Sequence, residues 1–581
     1  MADIPRQINA RRGFSVSYRG KTLLSAVDPI GQAERIVDTA VSTAAGTAAR
    51  DRTLYFCPSP LYGYGLEKLL SKLEKNSAIL CIELDEQLHA LSLREINAGV
   101  LAHPLLRLTG IADPGGLCNF VRSAWGSRTF RRVEVLRLTG GWRLDEERYE
   151  ALAETLRQNI ALDWANAMTL LKLGRLYIRN AIRNLSRIPQ FPSVSGISFG
   201  DDPALVLGAG PSLDGLLDDL KLHFGDRLAE PSRRPFRILC VDTCLGSLRA
   251  RNIRPDLVIA LESQHWNLRD FTGLGCWQIP VVMDLSALPA TADAVGGRGF
   301  LFFTPWTDLH FFKRLDAAGL LPETFPPLGS VGLSAAAIAL RISSGPVITG
   351  GIDFSFTIDS YHARSAPGHL EKLRRQNRLR SILNADAAFG RSAFAAVSKN
   401  GLPVRSNPAM RGYRDLFERE FSGGTRLFDV SGSGLPLGIK IPDNEEAFAL
   451  LGSRTDGTGG RDHPALNNAG ISGAMNTNKL NGTSGLAQKT AAFINGELKS
   501  LILLKAILTG EKTMMETHGE SLIRLEELLE TCDYLWSHFP DCAATGGRRP
   551  AAADTGFLKR VRAEIDPFIK LFELALREME D

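Results

Sequence analysis

The feature that most constrains this chain is a regular alternation, between about residues 196 and 442, of short apolar runs with stretches of helical spacing. The apolar runs fall at 204–207, 237–241, 257–261, 280–283, 300–303 and 346–349. Helical spacing follows at 213–222, 245–251, 308–318 and 332–342. Near-continuous apolar strands, each feeding a helix, predict a mostly parallel sheet covered on both faces. In such a sheet, ligands bind beyond the carboxyl ends of the strands.

At 581 residues the chain exceeds what one hydrophobic core covers. Upstream, 51–57 reads as a strand, 58–65 as a Gly/Pro turn, 66–73 as a helix and 78–82 as a second strand ending in Glu83. That order is a βαβ unit. Its turn holds only Gly63 and Gly65, short of a dinucleotide fingerprint, so a degenerate structural copy is expected. A further strand is predicted at 133–138, and 145–186 reads as one or two long amphipathic helices. Between 452 and 485 Gly, Ser, Thr, Asn and Asp dominate, which predicts a mobile linker. Beyond it, Leu and Ile recur at three and four residues, the pattern of a helical module suited to partner binding or oligomerisation. The expected divisions are 1–195, an α/β domain ending in long helices; 196–442, the central domain; 443–487, the linker; and 488–581, the helical domain.

Composition excludes several classes. A hydrophobic share of 44% with 23% charged residues is ordinary for a globular protein. The net charge of +4 is small, and pairs such as Arg131-Arg132 and Arg374-Arg375 have no aromatic ladder beside them, so no nucleic-acid partner is expected. Eight cysteines lack paired metal-ligand spacing and read as reduced, buried thiols. No run of about 18 apolar residues occurs, and the first twenty residues are no secretory signal, so no membrane association and a cytoplasmic location are expected.

Chemistry concentrates at the strand ends. Gly208-Ala209-Gly210-Pro211-Ser212-Leu213 stands between a strand and a helix, where glycines let backbone N–H groups approach an anion and the helix dipole favours phosphate. Leu213 replaces the third glycine of a dinucleotide fingerprint, which turns the reading away from NAD or FAD. Asp242 and Glu262 follow successive strands, Glu262 after Pro255-Asp256, and each suits a ribose, a sugar hydroxyl, a metal or a proton. Gly329-Ser330-Val331-Gly332 opens an alanine-rich helix and offers more donors. Gly350-Gly351-Ile352-Asp353 follows the last strong strand, and the polar loop Phe354 to His369 after it carries His362 and His369. A loop histidine there can exchange a proton near neutral pH.

Taken in order, Leu207 to Asp214, Val241-Asp242-Thr243, Ile253 to Asp256, Gly329 to Gly332, Gly350 to Phe354, Tyr361-His362-Ala363, Val404 to Asn407, Tyr413 and Gly432 to Gly438 resemble the motility accessory factor (Maf) family of flagellin glycosyltransferases. That family shares its central domain with the archaeal 6-hydroxymethylpterin diphosphokinases. Tyr62 to Gly65 and Ile82 to Asp85 are similar to its N-terminal domain. The glycine turn also looks like that of bacterial sialyltransferases. The resemblance implies a Rossmann-like, sialyltransferase-like central sheet. It further implies transfer of pseudaminic, legionaminic or a related nonulosonic acid from a CMP donor to Ser or Thr of flagellin. By it, Gly208, Gly210, Pro211, Ser212, Leu213, Asp242, Asp256 and Ser330 hold the nucleotide, and Glu262, Asp353 and His362 serve catalysis. No tightly bound cofactor is expected beyond the donor, with Mg²⁺ an open addition and the metal ligands unknown. Glu262 stands where a shorter acid is common, and Arg341-Ile342-Ser343-Ser344 replaces a glycine-bearing helix end. Two alternatives stand beside this reading: an ATP-using diphosphokinase, and a non-catalytic flagellin-binding assembly factor.

Overall fold

A computed structural model describes residues 4–43, 52–126, 129–294, 296, 298–430, 432–452, 480–510, 518–544, 550, 552 and 554–580. The chain divides into two compact units, Met1–Arg175 with Trp536–Ala551, and Leu176–Leu535 with Ala552–Asp581.

In the first unit, β1 (Arg6–Asn9), β2 (Phe14–Tyr18) and β3 (Lys21–Thr22) form an antiparallel sheet. The predicted βαβ pattern becomes a parallel sheet of β4 (Thr53–Pro58), β5 (Ala78–Ile82), β6 (Leu106–Thr109) and β7 (Arg132–Val135), in the order β6-β5-β4-β7. Every residue of β4 and β5 is buried, which is what their unbroken apolar runs require. Glu83, just past β5, is buried and accepts hydrogen bonds from the Ser59 hydroxyl at 2.6 Å and the Tyr149 hydroxyl at 3.0 Å. Burial pushes its carboxyl up to about 7. The turn after β4 reads Pro58-Ser59-Pro60, and two prolines without N–H groups cannot cradle a phosphate. Glu83 is thus committed to hydrogen bonds within the unit.

One continuous helix covers Glu146–Leu185 and passes from the first unit to the second at Leu176. Its last turns are tied to the second unit by two asparagines. Asn180 Nδ2 donates to the carbonyls of Ser263 and Ser286 at 3.0 and 3.1 Å, and Asn184 Nδ2 to those of Leu285 and Ala287 at 2.8 and 2.9 Å. The division therefore falls inside this helix, twenty residues before the expected boundary at 195.

The second unit holds β8 (Ala204–Leu207), β9 (Arg237–Val241), β10 (Leu257–Ala260), β11 (Val281–Asp284), β12 (Gly299–Phe302), β13 (Val347–Gly350), β14 (Phe394–Val397), β15 (Pro403–Ser406) and β16 (Leu427–Asp429). Seven of these form one sheet in the order β12-β11-β10-β9-β8-β13-β16, parallel throughout. All six predicted strands are present, and the α/β class with a mostly parallel sheet is borne out. From β8 the chain winds outward to β12, then returns to lay β13 on the other side of β8. The switch point therefore lies between β8 and β13, where a ligand crevice opens in folds of this kind.

The C-terminal helices Leu480–Thr509 and Thr555–Glu580, with the Asp533–Leu535 turn, pack on the helix His310–Ala317. The Phe311 ring lies 5.8 Å from Phe493, 5.3 Å from Tyr534 and 6.4 Å from Phe572, and Arg314 Nη2 bonds both oxygens of Glu497 at 2.7 and 2.9 Å. Through these aromatic contacts the expected C-terminal helical region packs as part of the second unit. At the expected linker, the helix Asn444–Gly452 occupies one end and the Leu480–Thr509 helix the other, while 453–479 lie outside the described residues. Among the described residues, no helix is long and apolar enough to cross a membrane.

Candidate active site at the switch between two strands

The carboxyl ends of β8 and β13 meet through two glycine turns. Gly208 N–H donates to the Gly350 carbonyl and Gly210 N–H to the Gly351 carbonyl, each at 2.8 Å. A Cβ on Gly208 would stand 2.5 Å from the Gly351 oxygen, and one on Gly351, at φ +69°, would stand 2.4 Å from the Gly208 oxygen. Close approach of the two turns is what demands glycine here. Ser212 N–H and hydroxyl both donate to Asp353, at 2.7 and 2.5 Å, and Leu213 N–H donates to Gly210 at 3.1 Å. Pro211 has no N–H. The donors of Gly208, Gly210, Ser212 and Leu213 are therefore spent inside the protein, which leaves Ala209 N–H as the turn's one donor without a protein acceptor among the described residues, far short of the expected cradle.

Asp353 is buried, and its two carboxylate oxygens serve Ser212. Burial raises its pKa, opposed by the Ser212 hydrogen bonds and the charge of Lys399. In this geometry it is a positioning residue for the turn rather than the catalytic group expected from its place after the strand. Phe354 follows at φ +45°, a left-handed conformation costly for an aromatic residue. Ser406 Oγ donates to its carbonyl at 2.8 Å, and Leu435 N–H to that of Asp353 at 2.8 Å, which holds the strained backbone in place.

Acids also close β9, β10, β11 and β16. Asp284 accepts from Ser286 N–H and hydroxyl at 2.7 and 2.5 Å and from Thr304 N–H and hydroxyl at 2.8 and 2.6 Å, leaving it no capacity for a ligand. Asp429 is pushed up to about 6 by burial, while Lys399 Nζ, at 2.6 Å, pulls it back. Asp242 accepts from Thr243 N–H at 2.8 Å and its hydroxyl at 3.2 Å, and burial raises its pKa. Next to it, Asp270 is buried with Oδ1 lacking a partner, and burial followed by the charge of Asp242 pushes it up to about 7. Glu262 is the least committed acid: half-buried, its carboxylate accepts only Gln264 N–H, at 3.1 Å, among the described residues. Tyr177, raised to about 12 by burial and then by the charges of Glu262 and Asp284, shares this wall with Tyr413.

His362 is half-buried on the loop that Ala363 N–H pins to the Ala209 carbonyl at 3.0 Å. Burial drives its pKa down to about 4, with the Ala209 carbonyl opposing and the charges of Lys372 and Arg269 assisting. Its imidazole is neutral at pH 7. Ser330 precedes the helix Val331–Ile342 and makes no side-chain cap. A Cβ on Gly332 would stand 3.5 Å from the Ile352 side chain, and one on Gly329 3.0 Å from the Tyr413 ring, so this helix starts beside the end of β13. The first-turn N–H groups of Val331, Gly332 and Leu333 have no intrahelical acceptor. They are donors without a protein acceptor beside the end of β13.

Asp256 lies elsewhere. It precedes β10, at the amino edge of the sheet, and accepts from Ile238 N–H at 2.7 Å, from Arg237 Nη1 at 3.4 Å and from Arg234. A residue just before a parallel strand sits at the edge opposite the crevice, so the assignment of Asp256 to the nucleotide is corrected: it anchors two buried arginines. Asp284 and Asp429 close β11 and β16 just as Asp242 follows β9, and the same strand-end position marks them in the sequence. Nothing in the local sequence marks Asp270 or Tyr177. Among the described residues no three His, Cys, Asp or Glu side chains gather as a metal site.

Residues 179–359 match the family described as 6-hydroxymethylpterin diphosphokinase MptE-like. A protein of Treponema pallidum (strain Nichols) with no function in its name is 29% identical over 584 residues, covering 98% of this chain and 95% of that one. The solved structure of the Maf glycosyltransferase from Magnetospirillum magneticum AMB-1 aligns with a TM-score of 0.55 at 15% identity, over 99% of this chain and 92% of that one. The resemblance to Maf proteins and to their MptE-like domain therefore holds for the overall fold and for the central domain.

Proposed function

We propose that the chain is a glycosyltransferase that moves a nonulosonic acid from a CMP donor to a Ser or Thr hydroxyl of flagellin. The observation that carries this reading is the group of side chains and free helix N–H groups gathered at the carboxyl end of the sheet, around β8 and β13. It has an open helix start at Ser330 to Leu333 on one side, the lightly bonded Glu262 and the buried, Thr243-bonded Asp242 on another, and the neutral His362 on the loop above the Gly208 turn. The whole-length likeness to a Maf glycosyltransferase fold supports the same direction.

In the reaction, the acceptor oxygen bonds to the anomeric carbon of the sugar as that carbon's bond to the phosphate oxygen breaks. CMP leaves with the bonding electrons. The N–H groups of Val331 to Leu333 and the Ser330 hydroxyl steady the charge gathering on the leaving phosphate. His362, neutral before the donor arrives, takes the acceptor proton. The donor's negative charge raises the basicity of this imidazole towards the working pH. Glu262 and Asp242 accept hydrogen bonds from sugar and ribose hydroxyls, and the Gly208–Asp353 lock holds the crevice floor in register.

The match to a pterin diphosphokinase domain favours one competing reading, pyrophosphoryl transfer from ATP. Calorimetry separates the two. The proposal expects CMP and CTP to bind at least tenfold more tightly than ATP, and tight binding of ATP alone would sink it.

A further inference from the structure

Past the His362 loop, the surface changes character. Residues 364–391 carry seven Lys and Arg against two Asp and Glu, in a chain whose net charge is only +4. The stretch 373–382, Leu-Arg-Arg-Gln-Asn-Arg-Leu-Arg-Ser-Ile, is exposed at every position and contains no acid. Arg374, Arg378, Arg380 and Arg391 make no ion pair among the described residues, so their charge faces solvent.

Large apolar side chains stand among these cations. Leu370, Leu373, Leu379, Ile382 and Phe389 are all exposed, Leu379 at 90% and Phe389 at 61% of its surface. Scattered single apolar residues on a surface need no explanation, but five within twenty residues, interleaved with unpaired arginines, do. The surface is joined to the crevice. Lys372 stands 5.3 Å over the Tyr361 ring, next to His362, and its Nζ bonds Asn384 at 2.5 Å. Arg364 N–H donates to Asp214 in the first turn of the helix that leaves the Gly208 turn, at 2.8 Å.

We infer that this face, centred on 373–382, docks the protein acceptor by an acidic segment carrying apolar side chains, and so delivers its hydroxyl to the crevice. The inference rests on the glycosyltransferase reading. Charge complementarity decides the partner: unpaired guanidinium groups recruit carboxylates, and Leu379 and Phe389 give the same segment apolar seats. A nucleoside donor does not need this face, because its phosphate and ribose have partners within the crevice. An anionic membrane could also meet basic and apolar groups. The position beside the crevice mouth favours the protein whose hydroxyl must enter there.

The test measures binding without any donor, using the full chain and flagellin purified from the cell that makes it. The variants are the triple charge reversal Arg374→Glu, Arg378→Glu, Arg380→Glu, and separately Leu379→Ser, all at exposed positions where folding is not at stake. Wild type should bind flagellin with an affinity that falls as salt rises, the triple variant should lose at least tenfold, and Leu379→Ser should lose about threefold with the salt slope unchanged. CMP affinity should be the same in all. Equal flagellin binding by wild type and triple variant overturns the inference, as does capture of wild type by phosphatidylserine vesicles in place of flagellin. Binding that behaves as expected, with no sugar transferred by wild type, would count against the glycosyltransferase reading and leave the docking face standing.

Discussion

Asp353 Oδ2 accepts the Ser212 N–H at 2.7 Å while Oδ1 accepts the Ser212 hydroxyl at 2.5 Å, so one buried carboxylate ties the turn after β8 to the end of β13. The two turns at the switch point are thus joined by a side chain as well as by two backbone bonds. Asp353→Asn exchanges one charged acceptor for an amide donor and should cost about 2 kcal/mol of stability. It should also weaken CMP about tenfold, because the crevice floor shifts. Ser212→Ala should cost a similar amount, and the double variant less than the sum. Urea titration of the four proteins checks this; strict additivity would show that the pair does not act as a lock.

His362 has a pH signature. Its folded pKa of about 4 lies below the ordinary value of about 6.5 for an unfolded chain. A histidine held neutral in the fold keeps its contribution intact above pH 6.5, and that stability is lost as pH falls towards 4. His362→Gln should therefore flatten the loss of stability between pH 6.5 and 4 while abolishing transfer at pH 7.5. Stability curves that fall together over that range would contradict the burial of the ring.

Asp256 provides a control at the opposite edge of the sheet. Replacing it by Asn leaves Arg234, which is buried, without its charged partner. Removing one member of a buried pair costs about 3–5 kcal/mol. Thermal unfolding should show that loss, whereas CMP affinity measured well below the transition should match wild type. A selective loss of CMP binding with normal stability would return Asp256 to the nucleotide site.

Asp270 should behave in the opposite sense to most carboxylates. Its folded pKa, about 7, is raised above the unfolded value, so its contribution is fully present below about pH 4 and is lost as pH rises through 7. Asp270→Asn should stabilise the protein by about 2 kcal/mol at pH 8, a gain that fades towards pH 4. Thermal unfolding at the two pH values measures it. A loss at pH 8 would mean that the unpartnered Oδ1 has a favourable role there.

The sheet was legible because β8 to β13 are buried on both faces, so their residues had to be apolar without alternation. β16 escaped notice, being three residues long with an acid for its third, and the half-exposed hairpin β14–β15 has no strong pattern. The site was legible by position: Gly208, Asp242, Glu262, Ser330, Asp353 and His362 all stand at the carboxyl end of the sheet. Their division of labour was not. A Gly-rich turn reads the same whether its N–H groups await a phosphate or are satisfied by a second glycine turn, and the partner turn, at Gly350-Gly351, lies more than a hundred residues away. Asp256 misled for the related reason that a residue before a strand and a residue after one look alike until the strand's direction relative to the crevice is known.

Transfer of a nonulosonic acid to flagellin is the proposed work of this site. The most direct measurement is the intact mass of purified flagellin after incubation with the full chain and a CMP-nonulosonic acid. A mass increase by whole nonulosonic-acid residues, with equal CMP released and none of it with His362→Gln, is the predicted result. Flagellin of unchanged mass, from a preparation shown to bind both CMP and flagellin, would contradict it.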